Sequence, residues 1–600
     1  MSYKRAAYLG TVGRPESIWH NLRSGETRDK MQNEKEATME NLTQFGLDRR
    51  RWAVQLVLII GLALLFLAAL LWGLQGVTPA RADPGTLYVD GDIGSDDSDC
   101  SNPADPCASI GYALTQAGDG DDIRVAEGTY TETLDIAISV TLKGGYSISG
   151  TLWLPRSGET VVDADGADSP VCTIGPGNNV TIEGFTIQGA NHTFDEGGGF
   201  YINGATVVIS NTVIRDNSTV GPGSGLWIEN SVGAENVQVS LINSTVISNS
   251  SVNGSAGLMV GDGDPIQLSI ENTVFTENTG NDVLTLDQAF EIVGSQVSSN
   301  TATGPWLIHL NSPGTISGTN VLSNTGTALA AWPGSNVTAH NLTIRNNQGG
   351  AILSHGVMTL TDSIVQGNHE GDWYVINAAD EFHPGAPRLT LDNCVIRDNP
   401  QQKGVLVLDG RIKIMDTVIA GHDTTDLNGD VINFYGNIVE AELVNVLVVN
   451  NQSARPTLNG NNPSGKISLM NVTVGGNTVR DWPIVAGDGN WTLTNSVLWG
   501  NTPAADMMGL GNFTVSYSDI ENGWTGTGNL DVDPLFLDAA GGDYRLHVSS
   551  PVKDVGTAVG APDHDLDGVA RPQGGGFDMG AYEWTGFRLF LPLTLRNVGP

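Results

Sequence analysis

One seven-residue phrase recurs along this chain and limits what it can fold into. It reads NTVIRDN at 211–217 and NCVIRDN at 393–399. Variants are NSTVISN (243–249), NTVFTEN (272–278), NLTIRNN (341–347), NVTVGGN (471–477) and NSVLWGN (495–501). Within it, neighbouring side chains alternate between two faces, as in a strand. A second alternating run precedes many copies, as in ATVVIS, VQVSLI, IQLSIE, RLTLD and KISLM. The closing Asn falls at 191, 217, 249, 278, 300, 324, 347, 368, 399, 451, 477 and 501, and His422 takes the slot between 399 and 451. Steps of about 21–32 residues are the length of one rung of a parallel β-helix, each rung being three short strands and three turns. Helical periodicity is confined to ASIGYALTQAG (108–118) and to one apolar run near the start.

Such a solenoid grows by adding rungs, so 600 residues do not require several globular domains. The inward Val, Ile and Leu of each rung stack on those of its neighbours. The repeated Asn lies at a turn, where a ladder of amides satisfies backbone groups that the turn would orphan. A rung cannot bury its own face, so each end needs a cap.

Residues 83–600 hold 18 Lys or Arg against 59 Asp or Glu. Such a surface repels nucleic acid and anionic membranes and excludes both as partners. It suits solvation and cation binding. VQLVLIIGLALLFLAALLWGL (54–74) is long enough to span a bilayer and follows Arg49, Arg50 and Arg51. This asymmetry puts 83–600 outside the cell. TPARAD then offers a signal-peptidase site before Asp83. Segment 53–82 therefore reads either as a signal peptide or as a single uncleaved anchor. Membrane contact is expected only through 53–74, and the location is extracellular or cell-surface. Residues 1–52 are a cytoplasmic segment, or an extension ahead of a start at Met39. For an exported chain, Cys100 and Cys107 in CSNPADPC are expected to close a small disulfide loop. Cys172 and Cys394 sit in apolar strand phrases as buried thiols.

Two regions carry a family resemblance. LYVDGDIGSDDSDCSNPADPCASIGYALTQAGDGDDIRVAEGTYTETLDIAISVTLKGGY (87–146) resembles the opening of pectate-lyase-like right-handed parallel β-helix proteins of bacterial surfaces, where such a run forms a capping helix and the first rungs. NLDVDPLFLDAAGGDYRLHVSSPVKDVG (529–556) with DHDLDGVARPQGGGFDMGAYEW (563–584) resembles the C-terminal module called choice-of-anchor Q. Val552 and Lys553 replace the usual Ala and Ile there. The resemblance implies an all-β right-handed parallel β-helix with an N-terminal cap over 83–146, repeats over 147–527, a small module over 528–585 and a tail over 586–600. It implies no single function, because lyases, hydrolases and adhesins share the fold.

Chemistry-bearing residues concentrate in NHEGDWYVINAADEFHPGAPR (368–388), a long break between phrases. His369, Glu370, Asp372, Trp373, Tyr374 and His383, with His422 and Asp423 from the second rung onward, are the candidate ligand-binding set. Stacked loops could bring them to one face, where Trp373 and Tyr374 would stack on sugar rings. The plain alternative is a solvated loop. Arg411-Ile412-Lys413 and Ser354-His355-Gly356 echo polygalacturonase motifs, but the Asn-Thr-Asp and Asp-pair elements are missing. No catalytic residue is assigned. Asp563, Asp565 and Asp567 alternate before Gly568, like half of a calcium loop that Asp578 and Glu583 could complete. Calcium is thus the one cofactor the sequence suggests. The expected function is an exported, non-catalytic β-helix protein contacting polysaccharide or other cell-surface components. The alternatives are a calcium-dependent polysaccharide lyase and a structural envelope spacer.

Overall fold

The structure, a computed structural model, describes residues 85–586 apart from 150–151, 156–157, 194–195, 262, 370–373, 379–387, 401–402, 427, 437–439 and 504–506. Segment 53–82 lies outside the described residues. Among the described residues, no helix is long and apolar enough to cross a membrane.

The repeated phrase writes two corners around one strand. Its first Asn adopts left-handed backbone: φ is 49° at Asn211, 48° at Asn243, 49° at Asn272 and 54° at Asn471. Asn tolerates that region better than other residues with a side chain. The sixth residue turns left-handed again, at Asp216, Ser248, Glu277 and Asn346. Between the corners lies a three-residue strand such as Val213–Arg215 or Val274–Thr276. The preceding alternating run forms the first sheet, as in Thr206–Ser210 and Val237–Ile242. A third strand, such as Leu226–Glu229 or Asp282–Leu286, completes the rung. Successive rungs pair in parallel on all three sheets, for example Val207 with Val239, Ile214 with Val246 and Leu226 with Leu258.

The central residue of each phrase points inward. Ile214, Val246, Phe275, Val297, Val321 and Ile344 are all buried, joining one core cluster that runs from Leu87 to Ile520. Burying each such side chain stabilises by roughly 1.5–3 kcal/mol.

The closing Asn residues form the expected ladder. From Asn217 through Asn249, Asn278, Asn300, Asn324, Asn347 and Asn368 to Asn399, each amide donates to the Oδ1 of the next at 2.9–3.1 Å. Each Oδ1 also accepts the preceding rung's backbone N–H, as Asn300 does from Asn278 at 2.9 Å. One rung differs from expectation. Asn191 is exposed and pairs with Ser218, so Ala190 holds the ladder slot, its N–H donating to Asn217 Oδ1 at 3.2 Å. A second ladder lies beside the first corner. Thr212, Ser244, Thr273 and Ser295 each receive or send a backbone N–H to a hydroxyl of the adjoining rung. Cys394 occupies this slot as a buried free thiol, and Cys172 is buried and free in the third sheet.

The N-terminal cap contains the helix Ile110–Gln116, shorter than the expected stretch. Ser109 caps it by accepting Tyr112 N–H, and Glu132 accepts the Ile110 and Gly111 N–H groups. Cys100 and Cys107 are joined in a disulfide.

The C-terminal segment from about residue 530 folds back along the outside of the second sheet. Tyr544 packs on Leu447 and Val449, while Leu546, Val552 and Met579 pack on Val497. The corner Asn residues become anchors. Asn471 donates to the Asp578 and Gly580 carbonyls, Asn495 to Thr557 O, and Asn450 accepts Tyr544 OH at 2.7 Å. Here the second strands lose their exposed position: Leu447–Val449 and Thr473–Gly475 are buried throughout, whereas Val213–Arg215 is buried at its centre alone.

Candidate functional site

The predicted loop is only partly described. Glu370, Asp372, Trp373 and His383 lie outside the described residues. His369 is half-buried at the turn after the second strand, its N–H donating to Asn347 O. Asp423 occupies the same turn slot two rungs on, with Pro400 between, and is exposed, accepting from Thr425 N–H and Oγ1. Tyr374 opens a third-sheet strand instead. Its register partner Gly404 has no room for a Cβ, which would lie 2.3 Å from the tyrosine ring. Asp430 follows in the same column and is buried. Its two oxygens accept from Asn433 and Asn459, and burial pushes its carboxyl up to about 6. Burial, against the Asn433 hydrogen bond, also raises the Tyr374 phenol above its usual range.

His422 is not a surface ligand. It is buried in the Asn slot, its N–H donating to Asn451 Oδ1 at 3.0 Å. Nδ1 accepts the Asn399 N–H at 3.3 Å, and Nε2 lies 3.1 Å from Ile396 O. Burial holds the imidazole down at about 4, so the ring is neutral and structural.

The carboxylates of the expected calcium loop do not converge. Asp563 is exposed against His564. Asp565 is buried and accepts the N–H groups of Asp567, Val569 and Glu583. Asp578 is buried and accepts the N–H groups of Asp554 and Trp584. Burial pushes Asp578 up to about 7 and raises Asp567. Among the described residues, no group of three or more His, Cys, Asp or Glu is placed to hold a metal ion. These carboxylates instead hold the terminal module's turns, around a fully buried Arg571–Glu583 ion pair at 2.8 Å.

A second cluster went unrecognised in the sequence. On the outer face of the third sheet, Trp227, Met259, Thr285 and His309 stand in one column on successive rungs. Trp306 lies 5.0 Å from His309, ring centre to ring centre, and 5.1 Å from Trp332 on the next rung. His355, one rung further, lies 5.4 Å from Trp332 edge-on. Trp306, His309, Trp332 and His355 are all half-buried. Asp282 sits beneath, its Oδ2 accepting from Thr285 Oγ1 at 3.2 Å and lying 3.7 Å from His309 Nδ1. Thr285 also meets Ser255 Oγ at 2.5 Å. Each rung contributes one or two of these residues, so no local motif marks them. A sequence signal does exist: between Arg215 and Arg345 there is no Lys or Arg, against ten Asp or Glu.

Residues 231–384 match the family described as right handed beta helix region, and residues 93–304 match a family of unknown function, DUF1565. No curated protein matches the chain in sequence. Similar solved structures include the pectate lyase Pel9A, at 11% identity over 84% of this chain and 97% of that chain, with a TM-score of 0.21. A PL6 alginate lyase in complex with a trisaccharide has 12% identity over 72% of this chain and 89% of its own, with a TM-score of 0.35. The catalytic domain of a GH87 alpha-1,3-glucanase in complex with nigerose has 15% identity over 73% and 70%, with a TM-score of 0.30. Rung register and the family match together make this chain a right-handed parallel β-helix protein.

Proposed function

We propose that the chain is an exported, non-catalytic surface or secreted protein that contacts polysaccharide or other cell-surface components along the outer face of its third sheet. The observation that carries this reading is the run of partly exposed rings Trp306, His309, Trp332 and His355 over three successive rungs. Rungs repeat at about 4.8 Å, so the run presents about 10 Å of aromatic surface to a chain lying along the axis. Tryptophan offers a flat apolar face with a polar edge, which suits a sugar ring. The arginine-flanked apolar run and the ARAD site support export. A Cys100–Cys107 bridge suits an oxidising compartment. We read the segment after residue 528 as a choice-of-anchor-Q-like module that seals the second sheet and leaves the third free.

The test uses purified residues 83–600 with calcium and then with chelator, on a panel of uronate-containing, neutral and amino-sugar polysaccharides. Retention on a polymer and release of new chain ends are followed together. Retention without new ends is expected. New ends that appear only with calcium would replace this reading with a lyase, and no retention on any polymer would leave a structural spacer.

A further inference from the structure

The third-sheet cluster also bears on which sugar it takes, an inference that rests on the reading above. Asp282 is 6% exposed, and its Oδ1 has no hydrogen-bond partner among the described residues. A buried carboxylate oxygen without a donor is costly, so such a group needs an explanation. Its neighbour Oδ2 is held by Thr285, which fixes the carboxyl plane. Trp332 Nε1 is likewise buried without a partner. The site therefore has one unused acceptor and one unused donor beside partly exposed rings. His309 stands against the other oxygen of the same carboxyl: its Nδ1 lies 3.7 Å from Oδ2, beyond hydrogen-bond length, and the ring makes no hydrogen bond among the described residues. The imidazole is therefore not locked in place beside the carboxyl.

The electrostatics then select the ligand. No Lys or Arg occurs between residues 215 and 345, so no fixed cation from these rungs can pair with a sugar carboxylate. Asp282 and Asp287 lie on the same strand and the turn after it, and both repel an anion. We infer that the Asp282–His309–Trp306–Trp332 site binds a neutral or amino sugar, not a uronate. The sugar ring packs on Trp306 or Trp332, whose planes stand 84° apart, and a hydroxyl or ammonium hydrogen is donated to Asp282 Oδ1.

The experiment is calorimetric titration of residues 83–600 with hexasaccharides of glucose, N-acetylglucosamine, glucosamine and galacturonate, and with mixed neutral oligosaccharides, on wild type, Asp282→Asn and Trp306→Ala. Asp282→Asn keeps an acceptor for Thr285 but presents an amide donor where the free acceptor stood. Thermal melting of each variant checks the fold. The inference expects binding of at least one neutral or amino sugar, none of galacturonate, and at least a tenfold loss in both variants. If Asp282→Asn does not fold, the sugar preference of the wild type and the Trp306→Ala loss still decide. Galacturonate binding that is lost in Trp306→Ala would overturn this inference and keep the proposed function. Binding unaffected by either variant would overturn the placement, and no binding to any sugar would overturn both.

Discussion

Replacing His422 by Asn tests the Asn ladder and the placement of this histidine at once. Unfolded, an imidazole titrates near 6.5. Folded, burial holds this one at about 4. A depressed folded pKa means that the unfolded chain takes up a proton that the folded chain refuses. The contribution to stability is therefore complete above pH 6.5 and is lost as pH falls from 6.5 towards 4. At 1.36 kcal/mol per unit, the wild type loses about 2 kcal/mol between pH 7.5 and pH 5 from this group. An Asn in the slot would offer Oδ1 to the Asn399 backbone and an amide to Ile396 O, as Asn300 does for Asn278 and Phe275. His422→Asn should be at least as stable as wild type at pH 7.5 and about 2 kcal/mol more stable relative to it at pH 5. Other titrating groups cancel in the comparison. A solenoid opens locally, so the assay is hydrogen exchange of peptides covering 395–424, corrected for intrinsic rates. An identical pH response in both proteins would refute the buried neutral ring.

Further perturbations address other parts of the account. Asn278→Ala would orphan the Asn249 N–H and the Val246 carbonyl, each about 1–3 kcal/mol, and should speed exchange in both adjoining rungs. Gly475→Val would place a Cβ 2.6 Å from the Tyr544 ring and cost roughly 1–3 kcal/mol, read as faster proteolysis of the terminal module with the rungs before 400 unchanged. Glu583→Gln would leave Arg571 charged and unpaired at a fully buried site, so the module should lose about 3–5 kcal/mol and melt separately from the rungs. Asp519 and Asp578 are both held near 7 by burial. Their raised folded pKa values make stability fall as pH rises from about 4 to 7, so Asp519→Asn should flatten that part of the melting curve against pH.

The scaffold was readable because each rung repeats its own instructions. Asn211 and Asp216 mark the corners, Ile214 the core and Asn217 the ladder, all within seven residues. Asn191 misled because a ladder slot is defined by register, and the chain reached it one residue earlier, at Ala190. His422 misled for a related reason: a chemically reactive side chain in a structural slot keeps the slot's role. The third-sheet cluster was illegible because Asp282, His309, Trp332 and His355 are 20 or more residues apart and meet only through rung stacking. The terminal module's path was half legible. The paired glycines of VTVGGN and the apolar LVV depart from the VIRD pattern where Tyr544 docks, but nothing in them names the partner.

The most direct test of the central claim is a crystal structure of residues 83–600 with an oligosaccharide from a polymer that retains the protein. The account predicts a sugar ring packed on Trp306 or Trp332, with a donor within hydrogen-bond distance of Asp282 Oδ1. Sugar bound along the first sheet or in the 368–388 loop, with the third-sheet rings unchanged, would contradict it.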